Sequence, residues 1–146
     1  MAAKVILAII GILAMVVGVS QILAPDATLN IWRPYIVGNP FGPPPHEIYI
    51  LGALTIVLGV FLLYIGITQL VQLSWFVLVI GALAFIAGIL IVIMPDLFRD
   101  TVNSLIYTQP ERTRRIINYI SGAVRFAIGF IFLVIALSPV PARQRV

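Results

Sequence analysis

The chain has 146 residues, of which 62% are hydrophobic and 10% charged, with a net charge of +4 and a mean hydropathy of +1.15. A soluble domain carries about 25% charged residues, so this composition excludes a water-solvated globule and implies that lipid is the solvent. The positive balance suits anionic headgroups, and the absence of a basic stripe with interleaved aromatics argues against nucleic acid as a partner. No cysteine is present, so disulfides and thiolate metal sites are excluded; the one histidine, His46, cannot form a two-histidine haem site.

The first apolar run, Val5–Ala24, follows Lys4. It is long for a signal-peptide core, and the proline of its exit "ILAPD" disfavours cleavage, so it is expected to be a span. Residues 26–47 form a long loop. "DATLNIWRPYIVG" reads as a weakly amphipathic segment with Trp32 and Tyr35 as interfacial anchors, and "NPFGPPPHE" has too many prolines for a helix. A second run, Ile48–Thr68, turns at "ITQLVQLSW" into a third, Trp75–Met94. The second long loop, 95–115, contains "DLFRDTVNSLIY". Its Leu97, Phe98, Thr101, Val102, Leu105 and Ile106 have the spacing of an amphipathic helix lying in the interface. The last run is Ile116–Leu137. Each run holds about 20 residues, enough to cross a hydrocarbon core of roughly 30 Å. Helices are required because lipid offers no partner to free backbone groups. The fold class expected is therefore all-α: a polytopic membrane protein with four transmembrane helices and short interfacial helices in the long loops.

The second half repeats the first at an offset of seventy residues. Gly11, Leu13, Ala14 and Gly18 return as Gly81, Leu83, Ala84 and Gly88. Pro25-Asp26 returns as Pro95-Asp96, and Pro40 as Pro110. Tyr49, Ile50, Gly52, Ala53 and Gly59 return as Tyr119, Ile120, Gly122, Ala123 and Gly129. Sixteen positions of 5–68 reappear unchanged in 75–138. Compositional bias matches isoleucine to isoleucine but is a poor explanation for matched glycine, proline and aspartate. The reading is two helical-hairpin repeats, 1–70 and 71–146. An even number of spans per unit gives both copies the same orientation, related by an axis along the membrane normal. The termini and the short joint share one side, and the two long loops share the other. Arg33, Arg99, Arg112, Arg114 and Arg115 lie on the long-loop side, against Lys4, Arg143 and Arg145 opposite. From the density of "ERTRR" the long loops are expected on the cytoplasmic side of the cell membrane.

Glycines recur every seven residues, at 11 and 18; 52, 59 and 66; 81 and 88; 122 and 129. This period keeps one face of each helix toward one neighbour, and small residues there let backbones approach closely. Gly11, Ala14, Gly18, Gly52, Gly59, Gly66, Gly81, Ala84, Gly88, Gly122 and Gly129 are thus the expected packing seam. Arg125, three residues after Gly122, falls on that seam at the position Ala14 and Ala84 hold elsewhere. It is expected to face the bundle, with Asp96 or Asp26 as its ion-pair partner. The alternatives are a lipid phosphate or another anionic ligand.

No catalytic constellation is evident. All five acids lie in loops or at span ends, no Ser–His–Asp set or metal-ligand spacing occurs, and His46 reads as a solvated loop residue. The expectation is no enzyme, no cofactor and no metal. Lack of a carboxylate within the spans argues against a proton-coupled multidrug-type antiporter.

Each half has a glycine-bearing span, a proline at its exit, an amphipathic loop, and then "LGALTIVLGVFLLY" or "SGAVRFAIGFIFLV". This unit resembles the YjeT-type family of small two-helix membrane proteins of unknown function, once per repeat. "PERTRRIINYISG" in the second copy fits better than "GNPFGPPPHE" in the first. A weaker similarity is to HdeD-like repeat membrane proteins, whose loops are shorter. Neither resemblance implies an activity or a cofactor. The function expected is a non-catalytic accessory or scaffolding subunit, with membrane lipids and either a membrane-protein partner or a second copy as partners. The alternative is a small transporter or channel for an anion or lipid headgroup, centred on Arg125.

Overall fold

In a computed structural model, which describes residues 2–39, 42–68 and 71–139, the chain forms six α-helices. They are α1 (Ala2–Leu23), α2 (Pro25–Ile36), α3 (His46–Ile67), α4 (Ser74–Ile93), α5 (Pro95–Val102) and α6 (Glu111–Leu137), with a π-helical turn, Asn103–Tyr107, continuing α5. Four of them, α1, α3, α4 and α6, are long and apolar enough to cross a membrane. Arg143, Arg145 and Pro40, used above in the charge comparison and the repeat, lie outside the described residues.

Proline sets the breaks. Pro25 and Pro95 occupy the first turns of α2 and α5, where a missing N–H costs nothing and the fixed φ favours helix. Ahead of each, Ala24 and Met94 leave the helical region (φ −137° and −126°), so the chain bends at these points. Helix α2 is fully formed through Pro34, more regular than its sequence suggests. Helix α6 begins at Glu111, five residues before the apolar run, because Arg114 and Arg115 find carboxylate partners there. Gly38, at φ +57°, takes the left-handed conformation that turns the chain out of α2.

The extensive interfaces are α1 against α6 and α3 against α4. Both are antiparallel and both run along the glycines. A Cβ on Gly18 would lie 2.6 Å from the Gly122 carbonyl oxygen, and one on Gly122 2.7 Å from that of Gly18; Gly11 and Gly129 face each other the same way at 2.7 and 2.5 Å. In the other pair Gly88 meets the Gly52 carbonyl oxygen at 2.9 Å, Gly59 meets Phe85, Gly66 meets Leu78, and Gly81 meets Leu62 and Leu63. All nine of these glycines are buried, and Ala14 and Ala84 are half-buried between theirs.

The four long helices close on one another at the end that carries the short joint. Leu7, Leu62, Ile65, Val77, Phe132 and Ile135 form a packed core there, with Phe76 edge-on to Phe132 at 6.1 Å. Lys4 Nζ donates to the Ser138 carbonyl, and Gln72 Nε2 to that of Pro139 at 3.2 Å. At the opposite end the two helix pairs diverge beneath α2, α5 and the π turn, leaving a space between them.

Candidate functional site

The space is a cavity of about 420 Å³. One wall carries the polar groups, Gln21 from α1 and Asn118, Ser121 and Arg125 from α6, with Ile117 among them. The others are apolar: Leu29, Trp32 and Ile36 from α2, Leu51 from α3, and Phe98, Val102 and Ile106 from α5 and the π turn. Leu29, Trp32 and Ile36 recur at helical spacing, as do Phe98, Val102 and Ile106, so each short helix lays its inner stripe over the cavity. Trp32 and Tyr35 remain partly exposed. Tyr107 completes the cover. Its hydroxyl donates to the Leu29 carbonyl at 3.1 Å, and the Arg33 guanidinium stands 5.7 Å from its ring centre. Burial pushes the Tyr107 phenol up from its ordinary value against the opposing pull of Arg33 and Arg114, which keeps it a donor.

The acids do not reach Arg125. Asp26 pairs with Arg115 at 2.8 Å and Arg114 at 3.4 Å, and Arg115 also holds Glu111 at 2.6 Å. Asp96 pairs with Arg99 at 3.2 Å. The expected Arg125–Asp clamp is therefore replaced by two ties at the short helices α2 and α5. Asp26 fastens the start of α2 to α6. Arg99, 9% exposed, fastens α5 to the proline-rich loop by donating from Nη1 to the Gly42 carbonyl at 2.8 Å. Carboxylates stay at this level because moving them deeper would cost several kcal/mol of lost hydration. By helical rise Arg125 lies roughly 16 Å along α6 beyond Arg114.

Arg125 is also displaced from the seam. Asn118, Gly122, Gly129 and Phe132 are buried against neighbours, whereas Arg125 is exposed and lines the cavity. A guanidinium is too bulky for a line where backbones nearly touch, so it turns aside into the open space. Among the described residues no carboxylate forms an ion pair with it. Nor do any three His, Asp or Glu side chains gather as a metal ion requires.

Asn118 has a role that sequence reading missed. Pro25 has no N–H to give the Gln21 carbonyl four residues earlier, so that acceptor loses its helical partner. Asn118, 3% exposed, supplies Nδ2 to the Pro25 carbonyl at 3.0 Å and to that of Gln21 at 3.5 Å. The signal was an amide in the last span at the level of the first span's proline exit. Asn118→Ile is expected to destabilise the protein by about 1–3 kcal/mol, chiefly through the Gln21 carbonyl left without a partner, measured by reversible unfolding in mixed micelles. A neutral result would show that water serves these carbonyls instead. The Gln21 side chain, 5% exposed, keeps an unpartnered Oε1 on the same wall.

Compared with protein families, curated proteins and solved structures, the chain matches none. The site must therefore be read from its own chemistry, which is one unpaired cation and a short polar wall facing hydrocarbon.

Proposed function

We propose that this is a non-catalytic, multi-pass membrane protein that holds an anionic group, either a free anion or a lipid headgroup, against Arg125 between its two helix pairs. The observation that carries this reading is an arginine without a carboxylate partner in a cavity under the interfacial helices. A guanidinium at membrane depth is costly unless something neutralises it, and it suits an oxyanion with paired acceptors. This puts anion binding ahead of the scaffolding role, which has only a generally apolar exterior in its favour.

The proposal includes the architecture of two fused YjeT-like units in parallel, with the long loops cytoplasmic. Its support is that residues seventy apart meet equivalent neighbours. Gly18 meets Gly122 and Phe126, and Gly88 meets Gly52 and Ile56; Gly129 meets Met15, and Gly59 meets Phe85. The core likewise contains Leu7 with Val77, Leu62 with Phe132, and Ile65 with Ile135. Each close helix pair thus takes one helix from each unit.

Thermal unfolding in a neutral detergent tests the binding reading. A ligand present at a hundred times its Kd stabilises by about 2.7 kcal/mol, which for a chain of this size raises Tm by roughly 5–10 °C. At least one of inorganic phosphate and phosphatidylglycerol is expected to raise the Tm of the wild type, to do so less in Arg125→Lys, and to leave Arg125→Met unchanged. An equal rise in Arg125→Met would remove Arg125 from the site.

A further inference from the structure

Resting on that reading, we propose that the occupant is an anionic amphiphile, an oxyanion head (phosphate or carboxylate) carried on hydrocarbon, and not a small water-soluble anion. The walls differ too sharply for a bare ion. An inorganic anion at Arg125 would face Leu29, Leu51, Val102 and Ile106 across the cavity and would have to surrender most of its hydration. Asn118 cannot replace that hydration, because its amide is committed to the Pro25 and Gln21 carbonyls. An amphiphile places its head on the polar wall and its chain against the apolar ones, so neither part meets an unsuitable surface.

Size agrees. At about 30 Å³ for each water-sized group, 420 Å³ holds roughly fourteen such groups. That is well beyond a phosphate and well short of a whole diacyl lipid. A head and the first part of a chain fit inside, and the remainder of a long lipid stays in the bilayer.

The duplication supplies an independent argument. The seventy-residue counterparts of Gln21, Asn118, Ser121 and Arg125 are Ile91, Ile48, Leu51 and Thr55. Ile48 is fully buried and Ile91 nearly so, so the unit folds with hydrocarbon at these places. Three counterpart pairs, Leu51 and Ser121, Trp32 and Val102, and Ile36 and Ile106, line the one cavity. It therefore sits astride the line relating the halves, and polarity has been introduced on one side only. Of these polar groups Asn118 serves the Pro25 break, whereas Arg125 forms no ion pair among the described residues, and an asymmetric ligand with one polar end requires only one polar wall.

Trp32 gives the test a local reporter. In a Trp75→Phe background it is the one remaining indole. The protein is reconstituted in phosphatidylcholine vesicles, and brominated phosphatidylglycerol, a brominated fatty acid or brominated phosphatidylcholine is added at a few mole per cent. Quenching of Trp32 by at least one anionic amphiphile is expected about tenfold more efficiently than by brominated phosphatidylcholine, a typical gain for charge-assisted hydrogen bonds. The stronger anionic quencher identifies the head as phosphate or carboxylate. The preference is expected to vanish in Arg125→Met, to survive in part in Arg125→Lys and to weaken in Ser121→Leu, with circular dichroism confirming that each variant is folded. Millimolar inorganic phosphate is expected not to displace the quencher. Equal quenching by anionic and zwitterionic lipids overturns the proposal. If inorganic phosphate nonetheless raises Tm in an Arg125-dependent way, the anion site stands and only its amphiphile fails; if neither responds, both readings fail.

Discussion

Gly18→Ala is expected to cost about 2–3 kcal/mol of stability, while Gly52→Ala, an identical change on the other helix pair, costs under about 1 kcal/mol. The added methyl at Gly18 would stand 2.6 Å from the Gly122 carbonyl oxygen and 2.8 Å from the Phe126 backbone nitrogen. Both atoms belong to a helix, and neither moves without moving α6. At Gly52 the closest atom is Val92 Cγ2 at 2.6 Å, and the nearest backbone atom, the Gly88 oxygen, is 3.2 Å away. Val92 Cγ2 and the next atom, Ile91 Cγ2 at 3.0 Å, are side-chain methyls; both residues are stiff at χ1 in a helix, so they yield by a small local shift, which costs less than moving a helix. Alanine also gains about 1 kcal/mol of helix propensity over glycine, but it gains this at both sites, so the difference isolates the clash. Reversible unfolding in mixed micelles measures it. Once Gly18→Ala has forced α1 from α6, adding Gly122→Ala should cost less than it does alone, because the same gap admits both methyls. Equal losses at Gly18 and Gly52, or full additivity of the pair across the seam, would mean that close backbone approach is not what joins α1 to α6.

The glycine positions were legible because a seven-residue period marks a helix face without reference to any partner. The partner was not legible. Gly122 carries the same signal whether it meets α1, α3 or α4, and its choice of Gly18 depends on how four helices share the available faces. Arg99 shows a different limit. On "DLFRDTVNSLIY" it falls on the polar side of an amphipathic helix, yet it is buried. Its charge is met locally by Asp96 and Asp100, and its remaining donor by the Gly42 carbonyl from a loop more than fifty residues away. The partner expected for Arg125 failed for a related reason. Reading α6 from Ile116 left Arg114 and Arg115 in a loop. Once the helix extends to Glu111, these two arginines stand beside Asp26, and Arg125, three turns further along α6, is left to the cavity.

That position makes the effect of Arg125→Met unusual in sign. Most substitutions destabilise, but this one is expected to stabilise the ligand-free protein by about 1–3 kcal/mol while abolishing its response to anions. Holding an arginine at the centre of a membrane helix costs about 2.5–3.5 kcal/mol on insertion scales, and no carboxylate among the described residues offsets that cost here. Methionine fills similar length with a flexible apolar chain, so it removes the charge without opening a large void. Asn118 remains to serve the Pro25 break, which keeps the comparison confined to the guanidinium. Stripping the protein of co-purified lipid in neutral detergent and comparing unfolding free energies with and without phosphatidylglycerol separates the two effects. Wild type should be the weaker protein alone and should gain on adding lipid; the methionine variant should start higher and stay level. A stripped wild type that is already the more stable of the two would mean that the guanidinium stabilises the fold without a ligand, and Arg125 would then be structural.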